Sequence, residues 1–140
     1  MIPVNYLAIL VAAIAAMVLG FIWFGPLFGK HWLASMGWDS AKIDSMRQKG
    51  MNMTYVLQAV GALVMAYVLA HALIFASTYL NVSGPMAGIT AGFWNWLGFV
   101  VPTSMGAVLW EGKSWKFWFI TAGYYLVSLC LMGVILAVWV

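Results

Sequence analysis

The chain has 140 residues, of which 66% are hydrophobic and only 6% are charged. Soluble domains carry about 25% charged residues, so this composition excludes a water-exposed surface and indicates a membrane protein. The high hydrophobic content also excludes a disordered chain. The net charge of +3 comes from basic residues that lie between apolar runs, where membrane orientation explains them better than nucleic-acid binding.

Four apolar runs are long enough to cross a bilayer, since a transmembrane helix needs about 20 such residues. They comprise residues 5–24, 52–77, 87–110 and 115–140. The sequence therefore predicts an all-α fold, an integral membrane four-helix bundle that forms a single transmembrane domain over residues 1–140.

The longest hydrophilic segment, residues 25–51, separates the first two runs. Pro26 follows Phe24 and Gly25, and this string predicts the end of the first span because a residue before proline avoids helical angles. Apolar residues then recur at helical spacing, and Asp39 or Ser40 is a plausible N-cap for a second short helix that ends at Gly50. We expect two short interfacial helices in this loop.

The basic residues predict the orientation. Four of them lie in the loop 25–51, and Lys113 and Lys116 lie between the last two runs. The loop 78–85 carries no charge. Because basic residues favour the cytoplasmic side, both basic loops are predicted to be cytoplasmic and both termini outside, in the bacterial inner (plasma) membrane. Trp23 and Trp118 fall near the cytoplasmic boundary, as in an aromatic belt.

Small residues recur at every fourth position in the first two runs, a pattern that lets helices approach closely in lipid. These predicted helix-packing residues are Ala8, Ala12, Ala16 and Gly20 in the first run and Ala62, Ala66 and Ala70 in the second. Stripes that remain uncovered within one bundle would serve a homo-oligomer. A layer of polar residues in the inner half is expected to form further helix contacts, and it contains Gln58, Thr103, Ser104, Thr121, Tyr124 and Tyr125.

The ionisable content at membrane depth is small. No Asp, Glu, Lys or Arg falls well inside a predicted span, and such residues commonly mark transport pathways. His71 is the remaining candidate, and Asn95 is predicted at a similar depth. The candidate binding residues are His71, Asn95, Trp94, Trp96 and Pro102, the last as a helix break typical of transporters. Alternatively, the polar pair is a helix contact, and a span that begins at residue 93 would place both tryptophans in the outer belt.

Nothing in the sequence predicts a catalytic group, a metal site or a cofactor. Cys130 has no charged neighbour in its apolar run, which favours an inert thiol. Membrane lipid is the expected partner, nucleic acid is not, and any small-molecule ligand is undefined. The leading interpretation is a self-associating, non-catalytic helical bundle with an accessory or structural role. The alternatives are a carrier or pore for a neutral or weakly charged solute and an enzyme whose site lies between subunits.

Four strings resemble those of a known family. They are Trp23-Phe-Gly-Pro-Leu-Phe-Gly-Lys30 followed by Trp32, Trp96-Leu-Gly-Phe-Val-Val-Pro-Thr103, Leu109-Trp-Glu-Gly-Lys113 and Ala122-Gly-Tyr-Tyr-Leu126. With them the chain resembles the bacterial and fungal membrane family known as domain of unknown function 1761. The resemblance implies a small four-helix membrane protein and carries no activity, substrate or catalytic residue.

Overall fold

The computed structural model describes residues 3–50 and 52–139, and all regular structure in these residues is helical. The helices are α1 (Tyr6–Ile22), α2 (Gly29–Met36), α3 (Ser40–Gln48), α4 (Asn52–Leu80), α5 (Gly84–Asn95), α6 (Val101–Ser104), α7 (Gly106–Leu109) and α8 (Trp115–Val138). Two π-helical turns, Trp23–Leu27 and Trp96–Val100, follow α1 and α5. The all-α class predicted from the sequence is confirmed.

Three helices are long and apolar enough to cross a membrane. They span Tyr6–Leu27, Asn52–Leu80 and Trp115–Val138. The first and last predicted runs, residues 5–24 and 115–140, agree with these bounds to within a few residues. The last predicted residue, Val140, lies outside the described residues. The structure thus supports membrane association through three continuous apolar helices.

The region predicted as the third span is helical but interrupted. It consists of α5, a π turn, α6 and α7, and the longest regular piece has 12 residues. These pieces follow one another without a gap from Gly84 to Ser104, about 30 Å at 1.5 Å per residue, but the run is not among the three apolar spans. Pro102 lies in α6, and its missing N–H removes one backbone hydrogen bond. The third span of the predicted four-helix bundle is therefore a series of short helical pieces.

The sequence predicted that the first helix ends before Pro26, and this prediction is wrong. Instead the helix continues through the π turn, where the Phe28 N–H donates to the Trp23 carbonyl, five residues back, at 2.8 Å. The wider turn accommodates the proline ring that an α-helix would reject. Gly29 then starts α2, and a Cβ there would lie 2.7 Å from the Phe24 carbonyl oxygen. Glycine is therefore required at this re-entry into the helix.

The short helices of the loop form as the sequence predicted. The Asp39 carboxylate accepts a hydrogen bond of 2.8 Å from the Lys42 N–H and caps α3. Its side chain thereby satisfies one of the free N–H groups at the helix start.

Helix α1 runs antiparallel to both α4 and α8. The end of α1 meets the start of α4, where the rings of Phe21 and Tyr55 have centroids 5.5 Å apart. The start of α1 meets the end of α8, where Asn5 Nδ2 donates to the Trp139 carbonyl at 3.2 Å. Residues 23–50 and 110–114 consequently share one end of the molecule, which we call the basic end. The α4–α5 turn shares the other end with the beginning of α1.

The core is lined by small side chains. Ala8, Ala12, Ala16, Ala62, Ala66 and Ala70 are all buried, and they form one cluster with larger residues of α8. Met132 is fully buried in this cluster. Gly20 is only partly buried, and a Cβ there would lie 3.2 Å from the Tyr124 hydroxyl oxygen. Alanine and glycine at these positions allow α1, α4 and α8 to pack closely.

Candidate functional site

The closest helix contact lies between α5 and α8. A Cβ added to Gly88 would overlap the carbonyl of Gly133, and the reverse holds as well. One turn further, a Cβ on Gly92 would lie 2.6 Å from the Leu129 carbonyl oxygen. The two backbones therefore touch, and only glycine leaves the necessary space.

Two tryptophans dock neighbouring helices onto α8. Trp23 Nε1 donates to the Ile120 carbonyl at 2.9 Å, and Trp96 Nε1 donates to the Ala122 carbonyl at 2.8 Å. Each tryptophan begins one of the two π turns. The two turns therefore fix α1 and α5 to carbonyls two residues apart on one helix.

The sequence analysis missed this shared arrangement. In both turns the tryptophan is followed two positions later by glycine, Gly25 or Gly98. The same Trp-x-Gly pattern occurs at Trp110 and Gly112 without a π turn, so the pattern alone does not reveal the arrangement. Trp23, which we interpreted as part of an interfacial belt, is partly buried and bonded to α8.

The polar residues predicted as a binding site bond to their own helices. His71 Nδ1 lies 2.8 Å from the Tyr67 carbonyl oxygen, and the two rings have centroids 4.4 Å apart. Asn95 Nδ2 donates to the Ala91 carbonyl at 2.8 Å. In residues 3–50 and 52–139, no hydrogen bond joins His71 to Asn95.

The tryptophans beside Asn95 have different surroundings. Trp94 is 62% exposed, whereas Trp96 is partly buried against α8. Trp94 and Asn95 line a groove of about 390 Å³ between α4 and α5. His71 is not among the described residues that line this groove, so the structure brings together only part of the predicted set.

Pro102 is exposed, and the hydroxyl groups of the two residues after it donate to backbone carbonyls of the preceding turn. The Thr103 hydroxyl donates to the Phe99 carbonyl, and the Ser104 hydroxyl donates to the Val100 carbonyl. Hydroxyl groups commonly serve backbone carbonyls around a proline in a membrane helix. Thr103 and Ser104, two residues of the polar layer expected in the inner half, thus form hydrogen bonds within the interrupted segment itself.

A large cavity opens at the basic end between α1, α4 and α8, with a volume of about 530 Å³. Its wall is mainly aromatic, with polar groups from Thr54, Gln58 and Tyr125. The Tyr124 hydroxyl donates to the Ala16 carbonyl at 2.8 Å and so connects α8 to α1. The cavity can accept an apolar group and satisfy one or two hydrogen bonds.

The described part of the chain contains no group of three or more His, Cys, Asp or Glu side chains placed to hold a metal ion. The side chains around the large cavity are aromatic, amide and hydroxyl groups. These groups are suited to binding and helix contact.

Comparison with known proteins gives a family and no closer relative. Residues 7–137 match the sequence model of a family described as protein of unknown function DUF1761. No curated protein and no solved structure matches the chain. The matched region includes both π turns and nearly all of α8. The chain belongs to the DUF1761 family.

Proposed function

We propose that this protein is a four-crossing component of the bacterial inner membrane that associates with copies of itself and has an accessory or structural role without catalytic chemistry of its own. The observation that carries the proposal is an exposed glutamine, Gln58, on an otherwise apolar helix face.

The interrupted segment is the fourth crossing in this proposal. It follows α8 in antiparallel direction from the Gly88–Gly133 contact to Ser104, whose hydroxyl accepts a 2.9 Å hydrogen bond from Trp118 Nε1. These contacts extend over about 22 Å of α8 at 1.5 Å per residue. A segment that accompanies a membrane-spanning helix over most of its length supports a crossing of its own.

The charges support one orientation. Lys30, Lys42, Arg47, Lys49 and Lys113 belong to the basic end, and Lys116 lies in the first turn of α8 directly beside it. Basic residues are retained on the cytoplasmic side of membrane proteins. The proposal therefore places the basic end in the cytoplasm and both termini outside.

Self-association rests on the first third of α4. Residues 52–60 are exposed except for partial burial at Ala59, and Gln58 lies among apolar neighbours such as Leu57. Gln58 is about 9 Å along the axis from the start of α4, where lipid provides few hydrogen-bond partners for its amide. An amide both donates and accepts, so the same residue of a second copy is a complementary partner.

The same face offers room for a second helix. Thr54, Gln58 and Gly61 recur at positions i, i+4 and i+7, which lie on one side of a helix. A Cβ added to Gly61 would meet nothing within 4 Å, so a partner backbone can approach there. A small residue beside a hydrogen-bonding one is typical of helix association in membranes.

The test compares two glutamine substitutions in lipid vesicles. Fluorescence energy transfer between labelled full-length copies, measured against lipid dilution, gives the association constant. We expect Gln58→Leu to lower it by about three- to tenfold, in keeping with hydrogen bonds between membrane helices. Gln48→Leu makes the same chemical change in α3, outside the apolar helices, and should leave association unchanged. A monomeric wild type, or equal association of both variants and wild type, would contradict the proposal.

A carrier for a neutral or weakly charged solute is the second hypothesis. The break at Pro102 supports it, because discontinuous helices often line transport sites. The separate hydrogen bonding of His71 and Asn95 does not add to that support.

A further inference from the structure

A second cavity at the basic end has a different chemical character from the large one. It has a volume of about 310 Å³ and lies between the α6–α7 segment and the beginning of α8. Its polar lining consists of three hydroxyl groups and one carboxylate, from Thr103, Ser104, Thr121 and Glu111. Glu111 is the one charged side chain among its described lining residues.

Two of the hydroxyls have no proton left to offer a ligand. Thr103 and Ser104 donate theirs to the Phe99 and Val100 carbonyls. Ser104 also accepts from Trp118 Nε1 at 2.9 Å, which leaves one lone pair free. A serine or threonine hydroxyl has one donor and two acceptor sites. Together with the Glu111 carboxylate, these groups present mainly acceptors and therefore favour a ligand rich in N–H donors.

The third hydroxyl lacks a partner. Thr121 Oγ1 is buried and makes no hydrogen bond within the described residues. Buried polar atoms are almost always satisfied by protein, water or ligand. Thr121 lines the cavity, and its hydroxyl oxygen is shielded in the structure, so a bound molecule satisfies this hydroxyl once the side chain rotates toward the cavity.

The remaining wall suits the carbon part of a cation. Trp110, Phe117 and Trp118 contribute aromatic rings. The ammonium group of Lys113 already lies 5.6 Å from the centroid of the Phe117 ring. Aromatic faces attract ammonium groups at such distances; Lys113 already uses the Phe117 ring, which leaves Trp110 and Trp118 to contact a second cation.

From these features we propose that the cavity binds a small protonated primary amine. The ammonium group donates to the Glu111 carboxylate and to the Ser104 and Thr121 oxygens. The alkyl part packs against Trp110 and Trp118. The site opens at the basic end and is independent of the self-association proposed for α4.

The test uses titration calorimetry on the purified full-length protein in detergent, with empty micelles as the blank. The probes are n-butylammonium, the neutral 1-butanol of similar size and tetramethylammonium, a cation without N–H groups. We expect saturable binding of n-butylammonium that is about tenfold or more tighter than that of 1-butanol, because hydrogen bonds to charged groups are the stronger ones. Tetramethylammonium should bind more weakly than n-butylammonium.

Three variants separate the site from general attraction. Glu111→Gln should weaken n-butylammonium binding about tenfold or more, and Thr121→Val about threefold. Asp44→Asn removes a carboxylate from α3 at the same end and should leave binding unchanged. Equal affinity for n-butylammonium and 1-butanol, an unaffected Glu111→Gln variant, or heats no greater than those of empty micelles would overturn the proposal. Tetramethylammonium binding as tight as that of n-butylammonium would overturn the assignment to a primary amine.

Discussion

Trp23 and Trp96 each provide a single indole N–H that connects a neighbouring helix to α8. The accepting carbonyls belong to α8, and a carbonyl oxygen has a second lone pair beyond the one used within the helix. Water does not compete for these bonds in the hydrocarbon region. Both residues could be assigned to the membrane from sequence, whereas their acceptors could not, because the choice of carbonyl depends on how α1 and α5 pack against α8.

Replacing either tryptophan by phenylalanine should remove the hydrogen bond and keep most of the ring. We expect Trp23→Phe and Trp96→Phe each to lower the free energy of unfolding by about 0.5 to 1.5 kcal/mol. Reversible unfolding in mixed micelles of increasing SDS content measures this change. Trp94→Phe is the matched control, since Trp94 is 62% exposed and lies two positions before Trp96; it should change stability by less than about 0.5 kcal/mol. A loss for Trp94→Phe equal to that for Trp96→Phe would contradict the role of the N–H group.

At the scale of helices, the contact between α5 and α8 depends on backbone proximity. The continuous apolar runs allowed α1, α4 and α8 to be predicted nearly to their ends, because length and hydropathy determine such helices. The π turn Trp96–Val100 could not be predicted in the same way, since average hydropathy does not depend on which carbonyl each N–H reaches. Pro102 indicated a break, but its position after a π turn came only from the structure.

A methyl group at Gly88 should separate the two helices. We expect Gly88→Ala to lower the free energy of unfolding by about 1 to 3 kcal/mol, the range for overpacked contacts, in the same SDS titration. Gly61→Ala makes the identical change in α4, where a Cβ meets nothing within 4 Å. It should be neutral or stabilise by up to about 1 kcal/mol, because alanine favours helix more than glycine does. Stability losses of equal size at both positions would show that the α5–α8 contact is not limiting.

For the whole molecule, composition was enough to predict an all-α membrane-associated chain. The structure adds that α1 runs antiparallel to both α4 and α8. The candidate binding site was harder to predict, since His71 and Asn95 have local backbone partners that no spacing rule reveals. The two cavities at the basic end combine residues far apart in sequence, such as Gln58 with Tyr124 and Ser104 with Thr121. Which residues line each cavity depends on the register between the helices, and the sequence pattern alone did not determine that register.

Topology gives a direct test of the four crossings. In a Cys130→Ala background, single cysteines at Lys42 and Lys113 should react with a membrane-impermeant maleimide in inside-out vesicles and stay unreactive in intact cells. Val82→Cys, in the α4–α5 turn, should show the opposite pattern. Labelling of the Lys42 and Lys113 positions from opposite sides would rule out a crossing by the interrupted segment.

The dependence of α1 and α5 on α8 has a consequence for biosynthesis. The partners of Trp23, Trp96 and Gly88 all belong to α8, which is synthesised after α1 and α5. At usual rates of translation, the synthesis of α8 is completed on the order of 10 s after that of Trp23. During that interval the indole N–H groups of Trp23 and Trp96 lack their α8 acceptors, and the glycine residues of α5 lack their packing partner. A chain that stops before Trp115 would keep them permanently, which makes it a natural substrate for membrane proteases and chaperones.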